Sequence, residues 1–323
     1  MKLKVGAVVA GAAILIGSVA ACGKSGSSGD SRGGGGSTAS SGASATVASQ
    51  LVLGAGPEFK GRVDGVPGLA KVYGVTFKSF KPLDAGGPLT INALKNGQAQ
   101  AANIFTTDPS IKADGFVVLT DPKNLYVAQN VLPLINKKKA TPGVTKVLDG
   151  ISAKLTTDDL VSLNEKVIGQ KEDPATVAKQ WLASKGLGTS GSEASGVKLV
   201  VGSANFQENV ILAQIYIAAL KAQGANVTPK LNIGNRETYI PGLKDGSIDL
   251  IPEYNGVLLQ FFDKKATAVT STQVFAALKK AVPSTLMVLT QSAAQDKDAI
   301  VVTKATAQKY NLTSIADLAK PAK

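Results

Sequence analysis

The chain contains no histidine, one cysteine and one tryptophan. Without histidine it lacks the commonest general base and the commonest zinc ligand. A lone cysteine excludes an intramolecular disulfide, and with no histidine beside it a structural zinc site is not expected. No cofactor is expected either. Aromatic residues are few, 5 % of the chain, and do not interleave with the lysines, whose longest run is Lys137-Lys138-Lys139. The formal charge of +12 therefore reads as a scattered basic surface, with attraction to an anionic membrane or wall polymer as the alternative. It does not read as a nucleic-acid site. Apolar material is plentiful, 44 % of 323 residues, enough for about two domains once tails are set aside.

The first residues read as an address. Met1-Lys2-Leu3-Lys4 is a short basic segment, and Val5 to Val19 is apolar or small and uncharged. That run is short for a membrane span of about 20 residues, and small residues follow it, the pattern of a secretory signal over residues 1–21. The only cysteine ends the sequence Val19-Ala20-Ala21-Cys22, which resembles the lipobox of bacterial lipoproteins. The resemblance implies cleavage before Cys22 and lipidation on it. An ordinary signal with a chance cysteine is the alternative. Residues 22–50 read as a tether: 17 of the residues from Gly23 to Gln50 are Gly or Ser, too little apolar area to offset chain entropy.

The body repeats itself. Leu51-Val52-Leu53-Gly54-Ala55 reads like Leu199-Val200-Val201-Gly202-Ser203, and Ala93-Leu94-Lys95-Asn96-Gly97 like Gly242-Leu243-Lys244-Asp245-Gly246, at nearly one offset. At that offset Phe105 falls opposite Tyr254 and Thr106 opposite Asn255. Each unit runs strand, helix, strand, helix, strand, and its third strand ends in an aromatic. Such alternation predicts an α/β fold with largely parallel sheets, and its duplication predicts two similar lobes. Ligands bind beyond the carboxyl ends of strands in such sheets, so Gly54-Ala55, Gly202-Ser203, Phe105 and Tyr254 are expected to meet in one cleft. The polar segment Thr189–Gly196 reads as a linker, within a boundary drawn at 188–197. Thr156 to Leu160 and Asp173-Pro174 read as helix starts without chemistry, and Trp181 reads as packing.

The motifs Val201-Gly202-Ser203-Ala204-Asn205-Phe206, Asn235-Arg236-Glu237 and Asp249 to Gly256 resemble the opening of the glycine betaine (quaternary amine) binding proteins of ABC importers. Ala294 to Ala299, Ile315-Ala316-Asp317-Leu318, Pro57 to Leu69, Pro82-Leu83-Asp84 and Phe105-Thr106-Thr107-Asp108 continue the likeness. It covers roughly residues 50–187 and 197–323. In the family the second of these blocks comes first, so the chain resembles a circular permutant. The resemblance implies a periplasmic-binding-protein-like clamshell of type II, delivering a compatible solute such as glycine betaine or choline to ABC permease and ATPase subunits for osmoprotection. Carried onto this order, one lobe is 51–128 plus 301–323 and the other 129–300. The crossings are expected near Val131-Leu132-Pro133 and Ala299 to Val302.

The same resemblance implies a site. The family cages a quaternary ammonium in aromatics and binds its carboxylate with cationic and hydroxyl groups. Tyr254 matches a cage position, and Phe105 another where Tyr is usual. Arg62 matches the carboxylate-binding arginine. Asp298 and Gln129 stand where other members place cage tyrosines, and Tyr126 is near enough in sequence to supply a ring instead. Asn205, Asn255 and Thr106 complete the candidate ligand-binding set. Ala204 and Val257 replace polar contacts of other members. An Asp298 carboxylate near a cation is favourable, so a cationic ligand without a carboxylate, such as choline, is the variant this departure suggests. Plain packing for Tyr254 and Phe105, an Arg62 ion pair to Asp64 or Glu58, and a mere helix start at Asn205-Phe206 remain the alternatives.

Two other functions compete. An exported hydrolase lacks a Gly-x-Ser-x-Gly elbow and any histidine for a triad, although Ser/Lys or two-carboxylate chemistry needs neither. A clamshell lipoprotein with another solute, or with a sensory or structural role and transport lost, is the second.

Overall fold

The computed structural model describes residues 45–322. The expected signal, Cys22 and most of the expected tether lie outside those residues. Among the described residues no helix is long and apolar enough to cross a membrane.

Ten strands form two sheets. The first holds β1 (Val52–Ala55), β2 (Ser79–Pro82), β3 (Ala101–Phe105), β4 (Val117–Val118) and β10 (Asp298–Val302), in the order β2-β1-β3-β10-β4. The second holds β5 (Val131–Asn136), β6 (Lys198–Gly202), β7 (Asn226–Lys230), β8 (Leu250–Tyr254) and β9 (Leu286–Val288), in the order β7-β6-β8-β5-β9. In each, three strands run parallel and the strand arriving from the other lobe enters antiparallel: β10 beside β3, β5 beside β8. This is the two-lobed α/β type II arrangement of periplasmic binding proteins. The repeated units of the sequence are the two sheets, with β3 and β8 ending on Phe105 and Tyr254. Exchanging the halves of the chain leaves both strand orders unchanged, so the topology is the same for either chain order.

Short-range chemistry sets the helix starts. Thr156 and Asp159 form a reciprocal cap on the helix Thr157–Asn164, and Asp173 caps Pro174–Ser184 ahead of its proline. The helix Gln207–Ala222 is apolar nearly all round because it is buried nearly all round. It packs against the second sheet and against Pro174–Ser184, and Trp181 belongs to that core.

Three boundaries differ from expectation. Residues 45–50 belong to the folded body: Val47 and Ala48 are buried in the first lobe's core, and the Val47 amide donates to the Lys320 carbonyl at 2.9 Å. Two apolar side chains within the Ser-rich stretch suffice to dock it. Second, β10 joins the first sheet from Asp298 onward, so residues 298–300 lie in the first lobe and the return crossing precedes them. Likewise Val131 already pairs with Tyr254 in the second sheet, which moves the outward crossing into residues 119–130. Antiparallel pairing decides both limits, and hydropathy does not register it.

The segment expected as a linker is pinned in place. Gly191 and Ala194 donate to the carbonyls of Ala222 and Gln223 at 2.9 Å each, and Ala194 is fully buried. A Cβ at Gly143 would stand 1.7 Å from the Glu193 carbonyl oxygen, so only glycine lets this segment lie so close.

Candidate functional site

Large exposed hydrophobics are informative when they are aromatic and face a concavity. Phe105 is 38 % exposed and Phe206 45 %, and both line a cleft of about 1820 Å³ between the lobes. Tyr254, at the end of β8, lines it too. Its ring centroid lies 6.0 Å from that of Phe206, at 33°. The register of the first sheet places Asp298 directly opposite Phe105. Arg62, Asp64, Gln129, Asn205 and Asp296 also line it.

Three carboxylates, Glu208, Asp296 and Asp298, gather on the side of the cleft that carries Tyr254 and Phe105. Glu208, in the first turn of the helix Gln207–Ala222, is buried yet lines the cleft. Its Oε1 accepts from the Tyr254 hydroxyl at 2.6 Å. Its Oε2 accepts from the Thr107 hydroxyl at 2.7 Å and from Asn164 Nδ2 at 2.6 Å. Thr107 comes from the first lobe, so this carboxylate joins the lobes. Burial raises the Glu208 pKa, and the three donors pull against that rise. Asp296 faces it across Thr107, whose amide donates to Asp296 Oδ1 at 3.3 Å. Burial and then the Glu208 charge push the Asp296 pKa well above the carboxylate range. Asp296 keeps some surface open to the cleft. Burial and the Glu208 charge likewise raise the Tyr254 hydroxyl.

Arg62 stands in the cleft wall with its fork committed. Nε and Nη2 donate to the two Asp64 oxygens at 2.9 and 2.7 Å, and Nη2 also to Asp298 Oδ2 at 2.7 Å. The ion pair to Asp64 is thus present, joined by Asp298. A ligand carboxylate reaching Arg62 would approach two aspartates. A second arginine, Arg236, is held bidentate by the buried Glu253 at 3.0 and 2.8 Å, with the Tyr239 hydroxyl on the same carboxylate at 2.7 Å. Removing one partner of such a pair costs about 3–5 kcal/mol. This network underlies the turn that carries Tyr254, whose amide donates to Glu253 at 3.0 Å.

Of the nine candidates, six line the cleft: Tyr254, Phe105, Arg62, Asn205, Asp298 and Gln129. Gln129 Oε1 also accepts the Val257 amide at 3.0 Å, in the first turn of the helix Asn255–Phe262. The other three face elsewhere. Asn255 is fully buried; it accepts the Asn130 amide at 2.9 Å and donates to Gln291 Oε1 at 2.7 Å, so it braces the crossing. Thr106 donates its amide to the Lys297 carbonyl and accepts the Lys297 amide on its hydroxyl, both at 2.9 Å; its neighbour Thr107, in the turn after β3, meets the cleft in its place. Tyr126 is buried in the first lobe's core behind Asp298. Its hydroxyl has no partner among the described residues, and burial followed by the Asp298 charge raises it.

The sequence reading missed Glu208, Asp296, Thr107 and Asn164 as functional residues. One signal was available: Glu208 is the only acid in a mainly apolar helix of 16 residues.

A family model described as the substrate binding domain of ABC-type glycine betaine transport systems, OpuAC, matches residues 42–184 and 197–323. The chain belongs to this family. The family is one of solute-binding domains and not of enzymes, which sets the hydrolase aside. Among curated relatives, the glycine-betaine-binding protein of Pseudomonas aeruginosa is 31 % identical over 144 residues, 43 % of this chain and 46 % of that protein. The carnitine transport binding protein OpuCC of Listeria monocytogenes is 27 % identical over 121 residues, 37 % of this chain and 39 % of that protein. The ergothioneine transport permease/ergothioneine binding protein EgtU of Helicobacter pylori is 31 % identical over 136 residues, 42 % of this chain and 24 % of that protein. The chain thus spans less than half the length of each of these relatives.

Proposed function

We propose that this chain is an extracytoplasmic solute receptor that captures a small quaternary amine and passes it to an ABC importer, in the service of osmoprotection. The supporting observation is the pairing of three aromatic faces, Tyr254, Phe206 and Phe105, with the carboxylates of Glu208, Asp296 and Asp298 in one cleft. A quaternary ammonium cannot donate an N–H bond, so it gains most from ring faces and from charge at contact distance. Its enclosure between lobes favours closure to the extent that it binds the closed form better. Since the Arg62 fork is taken by Asp64 and Asp298, choline fits this cleft better than glycine betaine, whose carboxylate would meet aspartates.

A thermal-shift panel of choline, glycine betaine, carnitine, ectoine and proline tests this. A ligand at 100-fold excess over Kd stabilises by about 2.7 kcal/mol, and choline is expected to give the largest shift. If none of the five moves the melting temperature, the quaternary-amine function fails and a sensory or structural clamshell takes its place.

The circular order belongs to the same proposal. The family model breaks between 184 and 197, at the segment read as joining the family's ends, and each relative matches less than half of this chain. A chain re-cut to begin at Val197 and end at Leu187, with 323 joined to 45 through a short linker, is expected to melt cooperatively and bind the same amine with a Kd within a few-fold. Failure of that chain to fold would count against the permutation.

A further inference from the structure

Asp296 and Glu208 are held on one residue, Thr107, through its amide and its hydroxyl. Two carboxylates this close do not both ionise readily in a partly dry cleft. Their hydrogen bonds decide which one keeps a proton. Glu208 accepts three bonds of 2.6–2.7 Å, all from side chains, and these stabilise its charge. Asp296 accepts one, from a backbone amide at 3.3 Å. The surroundings of Asp296 are otherwise acidic: Glu208 beside it and Asp298 two residues on, with Arg62 turned to Asp298 and Asp64. The Tyr254 hydroxyl is directed to Glu208, and Lys297, adjacent in sequence, feels Asp121. Among the described residues no ion pair to Asp296 forms, and Arg62 is engaged by its neighbours. In the same part of the cleft wall, Asn164 is buried and its Oδ1 has no partner among the described residues, while its Nδ2 is spent on Glu208 and the Thr107 carbonyl. The site therefore offers surplus acceptors and surplus negative charge beside the rings of Tyr254 and Phe206.

We propose that Asp296 is a proton-for-cation exchange site: it holds a proton while the cleft is empty and releases it to solvent when a permanent organic cation settles against Tyr254. The O–H bond of the Asp296 carboxyl breaks, the proton goes to buffer, and the carboxylate left behind becomes the counter-charge of the ligand. The idea rests on the cation-binding function above and refines it. Selection acts on fixed positive charge, since a zwitterion brings its own carboxylate and displaces the proton less effectively. The sign follows from linkage. The empty form binds the extra proton, so acid favours the empty form and choline affinity rises with pH. The rise approaches tenfold per pH unit between the Asp296 pKa of the bound form and that of the empty form, and levels off on either side.

The test is calorimetric titration of choline into the whole folded protein from about pH 5 to pH 8, in pairs of buffers with different ionisation heats. Wild type is expected to release close to one proton per choline over the pH range in which its affinity climbs, and fewer toward either plateau. Asp296→Asn, which can still accept the Thr107 amide, is expected to release none. It should also bind with a pH-independent affinity equal to the acid limit of wild type. Choline binding without proton release in wild type would overturn the exchange and leave the solute function standing, and this measurement does not depend on the variant folding. An Asp296→Asn protein that keeps the wild-type pH profile would overturn the assignment to Asp296. If choline and the other amines do not bind at any pH, the solute function itself fails and the exchange with it.

Discussion

Replacing Tyr254 by alanine is expected to weaken choline binding by about thirtyfold, the equivalent of about 2 kcal/mol for a desolvated cation on an aromatic face. The same change removes a ring that is 5 % exposed and leaves Glu208 Oε1 without its 2.6 Å donor. Stability should fall by about 3–5 kcal/mol from the lost burial. The two effects separate in Tyr254→Phe. That variant keeps the face and loses the hydroxyl, so affinity should stay within a few-fold of wild type. Stability should drop by about 1–3 kcal/mol for the uncompensated carboxylate oxygen. Calorimetry below the melting transition of each variant reads affinity, and urea titration reads stability. Unaltered affinity in Tyr254→Ala would remove this residue from the ligand cage.

Cys22→Ser is expected to move the protein from the membrane fraction to the medium. We infer lipidation at this residue because the one sulfur in a cysteine stands directly after the small residues Val19-Ala20-Ala21 that close the apolar leader. Each acyl CH₂ buried in a bilayer contributes about 0.8 kcal/mol, and stable anchoring takes more than one chain. Removing the attachment atom therefore abolishes retention outright. Fractionation of cells expressing the two forms, with incorporation of labelled fatty acid as a second readout, checks it. Retention of Cys22→Ser on the membrane would end the lipoprotein assignment. The charge of +12 gives weak surface attraction that salt would reverse, so the comparison is made at high ionic strength.

Much of the fold was legible in the sequence because its determinants are local or periodic. The caps at Thr156 and Asp173 are satisfied within three residues. The repeat of apolar runs ending in Gly predicts two equivalent sheets, and Phe105 and Tyr254 do end equivalent strands. The candidates that lie away from the cleft also share a cause. Thr106 is held by Lys297 through its amide and its hydroxyl, and its neighbour Thr107 meets the cleft instead. Asn255 looked like a ligand contact because it follows Tyr254. The antiparallel entry of β5 beside β8 instead puts it against Asn130 and Gln291. The lobe boundaries slipped by a few residues for the same reason, since β10 and β5 are sequence neighbours of one lobe and sheet partners of the other.

The residues with the most unusual electrostatics were the least legible. Thr107, Asn164, Glu208 and Asp296 come from four separate segments and touch only because a strand end of one lobe, a helix and a helix start of the other, and a crossing segment converge. The sequence by itself determined the α/β class, the duplication and the aromatic ends of β3 and β8, because each is written in composition or in short-range pattern. Tertiary structure alone decided that the Arg62 fork is committed to Asp64 and Asp298, that Glu208 carries three donors, and that Asp296 is left with one. Charge in a cleft depends on distance and desolvation, and both come into being only when distant segments meet.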